Sequence, residues 1–189
     1  MENASMAIEC PQCGSRAVLS ETEHEVMHFG PVLISALSCS KCGFRLTDVM
    51  CVNQTGKAKA YSVRIEREED LETKIIRSST GTVKIPELET TIEPGPGAEG
   101  YISNIEGLLE RIEGAAEAAE NASENKAQKK ASDEAKRKIR LAKNAEIPFT
   151  VILEDPFGNS ALAGAKVKEL KLSEEDIKRM KQSIKWMEG

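Results

Sequence analysis

Four of the five cysteines in this 189-residue chain fall into two matched spacings, Cys10-Pro-Gln-Cys13-Gly14 and Cys39-Ser-Lys-Cys42-Gly43. Tetrahedral zinc takes four soft ligands, and a Cys-x2-Cys turn presents two sulfurs to one ion. The pattern therefore predicts one structural Zn2+ held by Cys10, Cys13, Cys39 and Cys42. A glycine after the second cysteine of each pair lets the backbone take positive φ and close the turn around the sulfurs. Two disulfides or free thiols are the rival readings, and the paired glycines weigh against both. Four thiolates close the coordination shell, so no position is left for a reactive water. The chemistry is that of a staple, with apparent binding free energy on the order of 10–16 kcal/mol in peptide fingers. Loss of the ion is expected to unfold residues 8 to 51 and leave the rest standing.

Other candidate groups carry less. Cys51 lies in Val49-Met-Cys-Val52, which reads as a buried strand. His24 and His28 read as surface or hairpin residues beside a complete ligand set. No histidine follows His28, which leaves the later strands without a His-metal cluster or a Ser-His or Cys-His pair. Gly95-Pro-Gly97-Ala-Glu-Gly100 matches G-x-G-x-x-G, but Pro96 sits inside it and no strand–helix–strand unit surrounds it, so a dinucleotide site is rejected. The turn Asp155-Pro-Phe-Gly-Asn-Ser160 is dense in turn formers and reads first as a structural corner. Acidic residues are plentiful, yet none are placed as an evident catalytic couple.

Hydrophobic residues make up 40% of the chain and aromatics 4%, so a core must rest on Ile, Leu, Val and Ala. The net charge of −5 argues against a protein that coats nucleic acid, where Lys and Arg replace counterions. The start of the chain lacks the basic and apolar pattern of a secretory signal, and a cytoplasmic location is expected.

The elements that must position these groups follow from the hydrophobic period. Ala17 to Ser38 reads as two short strands around a turn at Phe29-Gly30-Pro31. Tyr61, Val63 and Ile65 alternate, as do Val83 and Ile85, and Ile75-Ile76 and Phe149 to Leu153 read as further strands. Ile105, Leu108, Leu109, Ile112, Ala115, Ala116 and Ala119 fall at helical spacing. Ala127, Ala131, Ala135, Ile139 and Ala142 form a second helical stripe after a break near Asn121 to Asn125. Ser173 with Asp176 makes a capping box for a last helix bearing Ile177, Met180, Ile184 and Met187. Trp186 on that helix is expected either to pack on the body or to belong to a detachable partner-binding segment. The reading is mainly β with an α insertion: a four-cysteine zinc ribbon (1–55), a β-sandwich (56–172) with a helical hairpin at about 103–144, and a C-terminal helix (173–189).

The hairpin is charge-segregated. Glu106, Glu110, Glu113, Glu117, Glu120 and Glu124 lie on the first helix, while the second is rich in Lys and Arg. Either two solvated faces support each other, or the surface docks another protein. Counting Glu87, Glu89, Glu93 and Glu99 as well, an acidic surface of ten residues faces Arg111 alone.

CPQCG, FGPVLISALSCSKCGFRLTDV, SSTGTVKIPELETTIEPG, ISNIEGLLERI and FTVILEDPFGNS occur in this order, and together they resemble the ZPR-type zinc-finger family in its single-module, archaeal-like form. The resemblance implies a double-stranded β-helix type sandwich with an inserted hairpin. It also implies a non-enzymatic protein-binding role, with translation elongation factor 1-alpha, a GTPase, as partner and folding client. It places the zinc ligands on the four cysteines and signature positions on Pro86, Glu87, Leu88, Glu106, Gly107, Asp155, Pro156, Gly158, Asn159 and Ser160, which either touch the partner or build the fold. A zinc-ribbon nucleic-acid or ribosome factor is the alternative, against which Arg16 is the only Lys or Arg between the cysteine pairs, set against Glu21, Glu23 and Glu25.

Overall fold

The computed structural model describes residues 3–54, 56–95, 97–122, 125–182 and 184. The chain opens as an antiparallel meander of four strands, β1 (Asn3–Glu9), β2 (Arg16–Val26), β3 (Gly30–Ser38) and β4 (Arg45–Cys51), in the order β1-β2-β3-β4. The strands between the cysteine pairs are longer than the sequence implied. Glu21, Glu23 and Glu25 interrupt the hydrophobic alternation, yet cross-strand pairing continues through them to Val26↔Gly30. The connecting turn is Met27-His28-Phe29, and Gly30 and Pro31 already belong to β3. His28 and Gly30 both have positive φ, 75° and 77°, which closes this tight reversal.

The meander serves two cores. Near the cysteines, Ala17 and Leu37 are buried with Ile8, Leu19, Phe44 and Leu46 packed against them. At the far end, Phe29, Val32, Val49 and Cys51 join the main core of the molecule. Fully burying side chains of this size stabilises by roughly 1.5–3 kcal/mol each. Loss of zinc is therefore expected to undo chiefly the cysteine end of residues 8 to 51, because the far end is held by apolar packing with the rest of the chain.

The remaining strands are β5 (Lys59–Ile65), β6 (Lys74–Arg77), β7 (Thr82–Ile85), β8 (Thr90–Ile92), β9 (Tyr101–Asn104), β10 (Phe149–Asp155), β11 (Ala161–Ala163) and β12 (Lys168–Glu169). They form a five-stranded sheet, β12-β5-β10-β7-β8, and a three-stranded sheet, β11-β6-β9. Along β10, Phe149, Val151, Leu153 and Asp155 are buried and the residues between them are not, which is the period of a strand with one face on a core. Val63, Ile65, Val83 and Ile85 of the first sheet share that core with Ile75, Ile76 and Leu162 of the second.

Between β9 and β10 the chain makes two antiparallel helices, α1 (Ile105–Ala122) and α2 (Lys126–Lys143). The Asn104 side chain accepts the Gly107 amide at the start of α1, and Asn125 caps α2 by accepting the Ala127 amide at 2.8 Å. Only the base of the hairpin is buried, through Ile105, Leu108, Leu109, Ile112, Ile139 and Ala142. Ala115, Ala119, Ala127 and Ala131, expected on the buried stripe, are exposed. Ion pairs also join the helices: Arg140 with Glu113 at 3.0 Å and Lys143 with Glu113 at 3.3 Å beside the buried base, and Lys136 with Glu120 further out.

The last helix, α3 (Glu174–Gln182), begins with the expected reciprocal cap. Ser173 Oγ accepts the Asp176 amide, and Asp176 accepts the Ser173 amide. Met180 and Ile184 are buried. Trp186 and Met187 lie outside the described residues, as does Glu124.

Candidate metal centre

The two cysteine turns are built alike. Each first cysteine donates its amide five residues ahead, Cys10 to Ser15 O at 2.7 Å and Cys39 to Phe44 O at 2.9 Å. Each glycine returns its amide to the first cysteine's carbonyl, Gly14 to Cys10 and Gly43 to Cys39, at 2.9 and 3.0 Å. Both glycines have positive φ, 69° and 78°, as the sequence predicts. The turns join β1 to β2 and β3 to β4, and the pairing of β2 with β3 brings them side by side.

The four sulfurs lie within 4.8 Å of one another, with Cys10 and Cys42 at 3.7 Å and Cys13 and Cys39 at 3.7 Å. Zn–S bonds of about 2.3 Å in a tetrahedron require sulfurs about 3.8 Å apart. The donor set fits one zinc ion, and a separation of 3.7 Å is far too long for a disulfide. Without the metal, the Ser15 amide and hydroxyl hold the Cys13 thiol down to about 6. The Cys42 amide lowers Cys39. Cys42 itself, although it accepts from Phe44, is pushed up to about 12 by local loss of hydration and by the neighbouring sulfurs. A bound ion displaces the protons that the thiols still carry.

Cys51 takes no part. It is buried at the end of β4, where burial, then Asp155, pushes its thiol up to about 11. His24 and His28 are exposed and outside the sulfur cluster. Gly95, Gly97 and Gly100 lie in a loop that leads into the strand β9 and not into a helix, in keeping with rejection of a dinucleotide site; Pro96 is outside the described residues.

The signature residues divide by exposure. Pro86, Glu87 and Glu106 are exposed, Gly107 is half-buried, and Leu88, Asp155, Pro156, Gly158, Asn159 and Ser160 are buried. Glu87 is engaged within the chain, accepting from Arg64 and from the Thr150 amide at 2.9 Å. Asp155 is the centre of a polar node that the sequence reading did not see. It accepts from Thr80 Oγ1 at 3.0 Å, Ser160 Oγ at 2.5 Å and the Phe157 amide at 2.9 Å. Next to it, Asp48 of β4 accepts the Ser79 amide at 2.7 Å, and the Cys51 amide donates to Asn159 O. The node sews the end of the cysteine-bearing sheet to the loop Ser78–Gly81 and to the Asp155–Ser160 turn. The run Ser-Ser-Thr-Gly is its sequence signal, since hydroxyls between two buried strands need a buried acceptor.

The acidic surface is largely spent inside the molecule. Glu89 pairs with Lys138, and Glu110, Glu113 and Glu120 pair with α2. Among the described residues, Glu93, Glu99, Glu106 and Glu117 are left without an ion pair.

A closed four-cysteine zinc ribbon running into a two-sheet sandwich defines a zinc-finger protein of jelly-roll type. Residues 2–57 match the ZPR1 zinc-finger domain and residues 69–188 the ZPR1 jelly-roll domain. The chain belongs to the ZPR1 family. It is 38% identical over 186 residues to a ZPR1-like protein of Methanocaldococcus jannaschii, covering 97% of this chain and 93% of that one. A ZPR1-like protein of Pyrococcus horikoshii is 39% identical over 177 residues, covering 91% and 79%. The zinc finger chaperone zpr1 of Schizosaccharomyces pombe is 28% identical over 158 residues, covering 81% of this chain but 34% of its own length.

Proposed function

We propose that the protein is a non-enzymatic binding factor of the cytosol that chaperones a translation elongation GTPase of the 1-alpha class. The observation that carries this reading is the sulfur geometry. Four thiolates 3.7 to 4.8 Å apart saturate an ion and leave it no substrate position, so the ribbon holds a shape for another molecule to meet. The name chaperone borne by the fission-yeast relative supports the same reading. The elongation factor as client rests on the sequence resemblance. The contact surface is assigned to the cysteine turns, where Cys13 and Cys42 are exposed, and to the neighbourhood of Pro86, Glu87 and Glu106. The buried signature residues hold the fold behind it.

The test is a pull-down of the cognate elongation factor, as purified protein and as nascent chain, with GDP and with GTP at low salt. Capture in any of these states is expected, and capture in none overturns the proposal.

A further inference from the structure

We infer that two copies of this chain associate edge to edge through β1, joining their four-stranded sheets into one of eight strands. The observation is an unprotected edge. β1 pairs with β2 along all seven residues, from Asn3↔Thr22 to Glu9↔Arg16, and among the described residues no strand lies on its other side. Its sequence, Asn-Ala-Ser-Met-Ala-Ile-Glu, contains no proline, lysine or arginine. Residues 4 to 7 are exposed, with Met6 at 50%.

Proteins blunt such edges by shortness, charge, proline or cover. Every other edge strand here is blunted. β12 is two charged residues long, β8 and β11 have three residues each, and β9 runs after four residues into α1. The outer edge of β4 is covered, since Thr47 O accepts the Gly100 amide and the Cys51 amide donates to Asn159 O. Among the described residues only β1 is long and open.

The occupant is a second copy because the strand is complementary to itself. Two identical antiparallel strands must pair residues whose backbone groups point the same way, so the paired positions sum to an even number. Full overlap of residues 3 to 9 then fixes the sum at 12 and puts the dyad at Met6. Ala4 meets Ile8, Met6 meets Met6, and Ile8 meets Ala4 on the face that also carries Leu19, Leu37 and Leu46. On the other face Ser5 meets Ala7, and Glu9, the one charged residue of the strand, meets Asn3 and not its own copy. Like charges opposed across a strand pair destabilise it, and this register avoids them. A single strand pair buries less than the roughly 1,200 Å² of small stable interfaces, so the dimer is weak and reversible.

Sedimentation velocity of the zinc-loaded protein between about 1 and about 500 µM, the range of transient association, is expected to show a monomer–dimer equilibrium. Met6→Lys alone and Met6→Glu alone place like charges at the dyad and are each expected to weaken association about fivefold. Their zinc content and far-UV dichroism should match the wild type. An equimolar mixture of the two variants is expected to regain it, because lysine then faces glutamate. A wild type that stays monomeric throughout, or a mixture that associates no better than its components, overturns the proposal.

Discussion

At the residue scale Gly81 has no room for a side chain. A Cβ built there would lie 2.6 Å from Ser160 Oγ, whose hydroxyl is committed to Asp155. Gly81→Ala is expected to cost about 1–3 kcal/mol in urea unfolding, the range for overpacking. Ser160→Ala should recover part of that loss in the double variant, because the clashing atom is gone; strictly additive losses would refute this account. A second residue reports through pH. Burial pushes the Asp70 carboxyl up, but the Lys166 ammonium at 2.7 Å and the amides of Glu66 and Arg67 outweigh it and hold the group below the ordinary carboxylate range. A lowered native pKa gives stability that is complete above the unfolded value and lost as pH falls through the native one. Asp70→Asn should therefore cost about 1–2 kcal/mol at neutral pH. The gap to wild type should close below about pH 4. A gap unchanged from neutral pH to pH 3 would rule out the ion pair as its source.

At the element scale the meander is held at one end by a metal and at the other by oil. Chelating the zinc should release amide protection at Cys10, Gly14, Cys39 and Gly43 and along the neighbouring ends of β2 and β3. Protection at Val32, Val49 and Cys51 should persist, since these pack into the main core. Uniform loss across residues 8 to 51, read by hydrogen exchange, would restore the simpler picture of one metal-dependent unit. This split was not legible in the sequence. The alternation of Tyr61, Val63 and Ile65 and the helical stripe from Ile105 to Ile112 announced their elements, because each buries one face on a core. β1 did not announce itself, since its alternation of Ala4, Met6 and Ile8 is brief and broken by the apolar Ala7. β8 and β11 are too short to show one. The alanine stripe misled, because helical spacing says which face is apolar but not how far the helix extends beyond the body it packs on.

At the scale of the whole molecule, the metal ligands were legible because their chemistry is local: two short turns carry it. The Asp155 node was not, because its partners come from Thr80 and Ser160 and its neighbours from Asp48 and Cys51, residues brought together only by the finished fold. That long reach has a consequence in time. The ribosome releases β4 about a hundred residues before Ser160, an interval of roughly 5–20 s at ordinary synthesis rates. During that interval the cysteine turns can already close on zinc. The central strand β10, which pairs with both β5 and β7, does not yet exist, and the core into which Val32, Val49 and Cys51 pack is incomplete. The newborn chain thus passes through a half-built stage, metal in place and one greasy end incompletely covered, and it leaves that stage only once β10 and the Asp155–Ser160 turn have been made.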